Sequence, residues 1–227
     1  GIGFAIPSNM VRSVISGISG TGKVVRPWFG GVSQAVGADM AASLGMRRPG
    51  GVLINDLYPG GPAQRAGLRR GDVVLEIGGR EVNGPEALRY RMATHRLGAR
   101  VTLKILRRGG TRNLTLPIEA PPEKPARNTT QLGGAHPLRG ASIANLSPAL
   151  ATEVGMSPLR RGVILLAVGR GSQAGRLGFK PGDILVKLNG QEVPTVRIAR
   201  NILARRARRW RISIERGGKT LSMTVNQ

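Results

Sequence analysis

Short apolar runs separated by glycine-rich breaks occur along most of the chain, and this pattern is typical of a strand-rich protein. Val52-Leu53-Ile54 and Val73-Val74-Leu75 have the length and composition of buried strands. Residues 101–105 and 114–118 alternate between apolar and polar positions on either side of a Gly-Gly pair. This alternation predicts a closing β-hairpin.

Two helices are predicted, one between the buried strands and the hairpin and one before the first of these strands. One begins at Gly84-Pro85, because proline is tolerated in the first turn, where its missing N–H removes no hydrogen bond. A shorter helix over Ala38–Leu44 ends at Gly45, which can adopt the left-handed conformation of a helix C-cap.

The whole pattern occurs twice. Residues 51–82 recur at 162–193 with a constant offset of 111 residues, and 11 of the 32 aligned positions are identical. A period of this length indicates a duplicated domain rather than a solenoid repeat. Residues 119–137, between the copies, are rich in Pro, Gly and polar side chains, which is typical of a linker. We therefore predict one domain over residues 24–118 and a second over residues 138–227.

The second copy repeats the predicted elements of the first. Its hairpin is formed by residues 212–214 and 221–225, and its helix follows Thr195, a good N-cap residue. The stripe of this helix that faces the core comprises Val196, Ala199, Ile202 and Leu203. Each repeat is thus predicted to be a small, partly open β-barrel with two short helices, so the fold class is mainly β.

Composition narrows the possible chemistry. The 227 residues include 35 Lys and Arg against 12 Asp and Glu, giving a formal charge of +23, with two His and no Cys. The lack of Cys excludes disulfides and thiolate ligands, and two His cannot form a His-rich site, so we expect no metal and no cofactor. Aromatic residues make up only 3% of the chain, which argues against the stacking surfaces of single-strand nucleic-acid binders. We expect no sequence-specific binding to nucleic acid.

Several motifs together resemble the bacterial HtrA/Deg (Do-like) periplasmic serine proteases. Residues 26–31, Arg-Pro-Trp-Phe-Gly-Gly, and residues 66–74, Ala-Gly-Leu-Arg-Arg-Gly-Asp-Val-Val, resemble the first PDZ domain of that family. Leu138-Arg139-Gly140-Ala141 and residues 177–185 resemble the second. The opening Gly1–Ser8 resembles the last strand of the family's protease domain. The resemblance covers essentially the whole chain.

The resemblance implies that residues 1–23 are the end of a trypsin-like protease domain, made of a strand, a helix and a hinge. Their apolar residues Ile2, Phe4 and Ile6 would belong to the core of an intact protease barrel. We expect this segment to pack on a neighbouring chain or on the first PDZ domain, because an apolar edge strand tends to pair.

Catalytic residues are not expected in this chain. A serine-protease triad needs a nucleophile, a base and an orienting group in contact, and the sequence lacks a Gly-x-Ser-Gly-Gly nucleophile loop. We interpret His95 and His136 as ordinary surface histidines. Asp72 and Asp183, each in a Gly-Asp pair, are interpreted as turn residues that bind their own backbone rather than as catalytic acids. The resemblance implies that the parent protein is an ATP-independent serine endopeptidase and chaperone of the periplasm.

Peptide recognition is the function that the resemblance implies for the first domain. In the PDZ mode, an extended chain end adds a strand to a sheet edge and backbone amides bind its carboxylate. The residues that match the carboxylate-binding loop are Arg26, Trp28, Phe29, Gly30 and Gly31. The residues that would line the groove are Val32, Ser33, Leu88, Arg91 and Met92. Phe29 also suits core packing, and Arg26 also suits a solvated position.

The family usually carries an aliphatic residue at the position of Gly31. The glycine here predicts a roomier pocket or a less rigid strand.

For the second domain, peptide binding and a role in assembly both remain open. The residues that would line its groove are Leu138, Arg139, Gly140, Ala141, Ile143, Ala199 and Ile202.

The densest charge cluster, residues 205–211, contains five arginines, and no acidic residue lies between Glu192 and Glu215. Three interpretations of this cluster stay open: a solvated face, a contact with an acidic peptide or partner domain, and a site for a polyanion or an anionic membrane.

The sequence therefore predicts a module that binds unfolded chains and C-terminal peptides and that aids assembly of a periplasmic homo-oligomer through the parent's protease domain and PDZ contacts. The alternative is a basic scaffold that binds an anionic membrane surface or a polyanion and whose peptide sites are vestigial. In that case binding would depend steeply on salt.

Overall fold

The computed structural model describes residues 25–226. The strand, helix and hinge predicted for residues 1–23 lie outside the described residues. The chain divides into two compact units between Pro121 and Pro122. We call them the first unit and the second unit.

The first unit contains one antiparallel sheet and three short helices. Its elements in chain order are β1 (Gly31–Ala35), α1 (Ala38–Ser43), β2 (Val52–Leu57), α2 (Pro62–Arg65), β3 (Val73–Ile77), β4 (Arg80–Glu81), α3 (Pro85–Ala93), β5 (Arg100–Arg107) and β6 (Gly110–Pro117). The strand order is β1-β2-β3-β5-β6, and β4 pairs with β3. Strand β1 is thus an edge strand, and no other strand between residues 25 and 226 pairs with its outer side.

The second unit repeats this arrangement and adds one strand. Its elements are β7 (Thr130–Gln131), β8 (Ala141–Asn145), α4 (Pro148–Glu153), β9 (Val163–Val168), α5 (Gln173–Arg176), β10 (Ile184–Leu188), β11 (Gln191–Glu192), α6 (Val196–Leu203), β12 (Arg209–Arg216) and β13 (Lys219–Asn226). The strand order is β13-β12-β10-β9-β8-β7, and β11 pairs with β10. Strand β8 corresponds to β1, so the additional strand β7 lies on the side of β8 that corresponds to the outer side of β1.

The predicted fold class, mainly β with short helices in two PDZ-like sheets, is confirmed. Both predicted hairpins form, as β5–β6 and β12–β13. Thr195 caps α6, since its Oγ1 accepts a hydrogen bond from the N–H of Ile198 at 3.3 Å. Helix α3 begins at Pro85 after Gly84, and Gly45 has the left-handed φ of +68° expected after α1.

Each of the helices α3 and α6 is held by one apolar face. Leu88 and Met92, one turn apart on α3, are 2% and 1% exposed and belong to the core of the first unit. The predicted stripe of α6 is buried at all four positions. Helix α3 packs beside β1, and α6 packs beside β8. This packing places a helix along β1 in the first unit and along β8 in the second.

An ion pair between a buried aspartate and a partly exposed arginine occurs in both units. The Asp72 carboxylate accepts the N–H of Arg69 at 2.7 Å, which confirms its interpretation as a turn residue. It also accepts two hydrogen bonds from Arg107. The same arrangement joins Asp183 to the N–H of Lys180 and to Arg216 in the second unit.

Most of residues 119–137 belongs to the folded second unit. Strand β7 lies in this stretch, and Leu132 and His136 are 5% and 4% exposed. The interpretation of His136 as a surface histidine is therefore wrong. Its ring packs edge-on against the ring of Trp210, with 6.4 Å between the centroids.

Candidate peptide-binding edges

The loop that precedes β1 is fixed at its base by aromatic residues. The Trp28 N–H donates to the carbonyl of Glu119 at 2.8 Å, and the Trp28 ring meets the Tyr58 ring edge-on at a centroid distance of 5.0 Å. Phe29 is 8% exposed and packs into the core of the first unit. Arg26, at the start of the loop, is exposed. The structure thus confirms core packing for Phe29.

Gly30 gives the loop its shape. It adopts φ +77°, and its carbonyl accepts the N–H of Tyr58 at 2.9 Å. A Cβ atom at Gly30 would lie 2.9 Å from Cδ of Pro62, so a side chain would be strained both by the backbone and by this contact. The N–H groups of Phe29 and Gly30 find no acceptor among residues 25–226. Two adjacent backbone donors are therefore available at the end of β1.

Gly31 lies in a tighter place than the sequence suggested. A Cβ atom there would approach the carbonyl oxygen of Asp56 and Cδ2 of Leu57 to 3.0 Å each, and Cδ1 of Phe29 to 3.3 Å. The position of a Cβ atom at Gly31 is thus crowded by Asp56, Leu57 and Phe29. The lack of a side chain therefore leaves no open space at the Cβ position of Gly31. The register of β1 shifts between Val32 and Ser33, and the roomier pocket or less rigid strand stays a prediction.

The predicted groove residues fall into two groups. Val32 and Ser33 on β1 are half-buried, as is Arg91 on α3, whose guanidinium lies 6.0 Å from the ring centroid of Tyr90. Leu88 and Met92 are buried in the core of the first unit, so they do not form an exposed wall. Helix α3 thus packs beside β1, and the assignment of these residues to a peptide groove stays a prediction.

The corresponding loop of the second unit has the same backbone geometry. Gly140 adopts φ +87°, its carbonyl accepts the N–H of Gly169 at 2.9 Å, and a Cβ atom there would lie 2.3 Å from Cβ of Ser172. Of the residues predicted to line this groove, Arg139 is exposed and Gly140 is half-buried. The buried members are Leu138, Ala141, Ile143, Ala199 and Ile202.

The edge of the second unit is already paired with the protein's own chain. Strand β7 runs antiparallel to β8, with Thr130 opposite Ile143. Beyond it, the Leu132 N–H donates to the carbonyl of Ala141 at 2.8 Å, and the Gly140 N–H donates to the carbonyl of Leu132 at 2.8 Å. Sequence reasoning missed this strand, and its only apolar signal was Leu132.

Positive charge surrounds this paired edge. Residues 128–136 and α6 line a cleft of about 1010 Å³ that also holds the exposed side chains of Arg197, Arg200, Arg205 and Arg206. No carboxylate lines this cleft among the residues that the structure describes. The remaining arginines of the 205–211 cluster are exposed as well.

His136 stands at the turn between β7 and the loop of the second unit. Its burial lowers the pKa of the imidazole, and its Nδ1 has no hydrogen-bond partner. Between residues 25 and 226, no group of three or more His, Asp or Glu side chains could hold a metal ion. None of the described helices is long and apolar enough to cross a membrane.

Comparison with known proteins agrees with this geometry. Residues 34–118 match the family model for the PDZ domain. A probable periplasmic serine endoprotease of the DegP-like type from Chlamydia trachomatis is 32% identical over 89% of this chain and 40% of its own length. One from Rhizobium meliloti is 33% identical over 85% and 38%, and the periplasmic serine endoprotease DegP of Escherichia coli is 27% identical over 99% and 44%.

The chain spans about two fifths of the length of these relatives. Among solved structures, the HtrA-type protease AlgW with a decapeptide is 35% identical over 54% of this chain and 38% of its own, with a TM-score of 0.43. The relatives named above are periplasmic proteins, which agrees with the predicted location. Over most of its length the chain is similar to the PDZ region of the HtrA/Deg serine endoproteases.

Proposed function

We propose that the first unit captures extended chain ends by adding them as a strand to β1. The observation that carries this proposal is an edge strand without a partner on its outer side among residues 25–226, next to two backbone donors, the N–H groups of Phe29 and Gly30. An incoming strand would satisfy the free edge of β1, and its carboxylate would accept from the two donors.

Side chains around this edge would select the peptide. Phe29, Leu88 and Met92 give the groove an apolar floor, which favours an apolar last residue. Arg91 on the helix and the exposed Arg26 add positive charge beside the carboxylate site. The groove thus suits a peptide with an apolar last residue and a free carboxylate.

The parent protein, on this proposal, is a periplasmic serine endoprotease in which the unit recruits unfolded chains to the protease domain. A part of the PDZ region in assembly of a homo-oligomer belongs to the same proposal. The free donors beside the free edge favour peptide capture over the alternative of a basic scaffold with vestigial peptide sites.

The test is a titration of the whole chain with a peptide that ends in Leu, carrying either a free or an amidated C-terminus, followed by NMR. We expect the free peptide to shift the amide signals of residues 28–33 and the amidated peptide to bind at least tenfold more weakly. Equal binding of both peptides, or salt sensitivity with no effect of the end group, would contradict carboxylate capture.

A pair of glycine variants sharpens this test. Gly30→Ala places a methyl group 2.9 Å from Pro62 and should weaken binding of the free peptide at least tenfold. Gly109→Ala changes a glycine of similar φ, +75°, with open space around it, so it imposes a comparable backbone strain in the β5–β6 turn. We expect Gly109→Ala to leave peptide affinity unchanged.

A further inference from the structure

We infer that the second unit holds its own residues 130–132 as an internal ligand, in the groove where a peptide would otherwise add to β8. The inference deepens the proposed function, because it takes the strand-addition mode proposed for the first unit and assigns the occupant of the second groove. For this unit the sequence left both peptide binding and assembly open. The inference instead states that the edge strand β8 is already paired with residues 130–132.

The backbone contacts have the polarity of a bound chain end. Residues 130–132 run antiparallel to β8 and arrive at the loop with Leu132 last. The Leu132 N–H donates to Ala141, and its carbonyl accepts from Gly140, the equivalent of Gly30 in the first unit. The carbonyl oxygen of Leu132 therefore occupies the place of one oxygen of a terminal carboxylate.

The side chains alternate as they would in a bound peptide. Leu132 is buried in the same core cluster as Leu138 on the loop and Ile202 on α6. Gln131 is exposed, and Thr130 is half-buried, so Thr130 and Leu132 share the inward face of the strand. The groove thus receives an apolar last side chain and a small hydroxyl side chain two residues earlier.

Asn145 fastens the preceding residues to the same groove. Its N–H donates to the carbonyl of Arg127 at 2.7 Å, and its Nδ2 donates to the carbonyl of Ala126 at 2.8 Å. Its Oδ1 accepts the N–H of Val196, the first residue of α6, at 2.7 Å. The first unit has the exposed Ala35 at this position, and alanine cannot make the two side-chain bonds.

The short connection back to the loop favours the internal occupant over an external one. Only residues 133–137 separate Leu132 from the start of the loop at Leu138, and this tether gives the segment an effective concentration of the order of millimolar. An external peptide must outcompete the segment at that concentration. The second groove is therefore closed to strand addition while Leu132 is seated.

The seated sequence also indicates which external peptide would fit after the segment leaves. A chain ending in Thr-x-Leu with a free carboxylate would reproduce both inward side chains and would add a charge at the Gly140 donor. The matching probe is the pentapeptide Asn-Thr-Thr-Gln-Leu, a copy of residues 128–132.

The experiment titrates this pentapeptide into the whole chain and into two variants, followed by NMR signals of Gly140, Ala141 and Ile143. Leu132→Asp places a charge in the apolar pocket and should release the segment, raising the affinity of the second unit for the peptide at least tenfold. Gln131→Asp adds the same charge at the exposed neighbour and should behave like the unchanged chain. If the unchanged chain binds the peptide at these residues as tightly as Leu132→Asp does, the inference fails.

Amide hydrogen exchange on the unchanged chain provides a second measurement that needs no variant. The N–H groups of Leu132 and Gly140 should exchange at least a hundredfold more slowly than unprotected amides, and exchange at the unprotected rate would overturn the inference. In the peptide titration described above, the signals of residues 28–33 report on the first unit. If peptide fails to shift those signals, the proposed function of the first unit fails, whereas the outcome at Gly140 still decides this inference.

Discussion

Arg107 binds Asp72 through two hydrogen bonds of 2.7 Å, one from Nε and one from Nη2, and the Asp72 carboxylate is almost completely buried. The same Nη2 also donates to the carbonyl of Gly67 at 2.7 Å. This hydrogen bonding raises the pKa of Arg107. The pair thereby joins the end of β5 to the turn before β3, next to the core.

We predict that Asp72→Ala destabilises the first unit by about 3–5 kcal/mol, because it leaves the Arg107 guanidinium without its buried partner. The measurement is denaturant unfolding followed by signals from the first unit. Glu86→Ala removes the carboxylate of an ion pair with Arg89 whose side chains are 80% and 70% exposed, and it should cost less than about 1 kcal/mol. Similar costs for the two variants would contradict the buried role of Asp72.

Asn145→Ala should destabilise the second unit by roughly 2–4 kcal/mol, because it removes two hydrogen bonds and leaves the buried N–H of Val196 unsatisfied. The measurement is denaturant unfolding followed by the fluorescence of Trp210. Asn201→Ala, at an exposed position of α6, should change stability by no more than about 0.5 kcal/mol. If Asn145→Ala is as stable as this control, the hydrogen bonds of Asn145 to Ala126 and Val196 do not hold the second unit together.

Stability of the second unit should fall as the pH drops below about 6.5, the ordinary pKa of histidine. Burial lowers the pKa of His136 in the folded state, so the unfolded chain binds the proton more readily and acid favours unfolding. The loss begins near the unfolded pKa and continues until the pH falls below the folded pKa. His136→Gln should flatten this dependence, as measured by unfolding of the second unit between pH 7.5 and 5. An unchanged slope in His136→Gln would assign the dependence to other groups.

The arginine-lined cleft should bind acidic peptides in a salt-dependent manner. We expect tetraglutamate to bind the second unit and Arg200→Glu to weaken this binding about tenfold, because the substitution replaces a positive charge with a negative one inside the cleft. Arg170→Glu, exposed and outside the cleft, should have little effect. Isothermal titration at low and moderate salt checks this. Equal losses in both variants would indicate a general charge effect and favour a merely solvated face.

Regular periodicity made much of the fold predictable from sequence. The alternation around Gly109 and Gly217 predicted both hairpins, and the capping chemistry of Pro85 and Thr195 placed both long helices at their observed starts. These elements depend on local spacing and on caps, which a sequence displays directly.

Contacts between distant residues could not be predicted in the same way. Arg107 and Asp72 are 35 residues apart in the sequence. The chain has many arginines, and the residues next to Arg107 in the sequence do not identify it as the one that pairs with Asp72. Strand β7 is only two residues long, and its polar, glycine-rich surroundings have the composition of a linker. Its pairing is decided by Leu132 and Asn145, whose contacts depend on the folded sheet. The burial of His136 follows from that same pairing.

The hydrogen bond between Gly140 and Leu132 also determines the valency of the chain. On the proposed binding mode, it leaves one sheet edge of this kind unpaired among residues 25–226, so a single copy would engage one chain end at a time despite its duplicated architecture. On the same proposal, avidity for a long unfolded substrate would come from several chains held together rather than from the tandem within one chain, and the number of bound segments would scale with the number of chains.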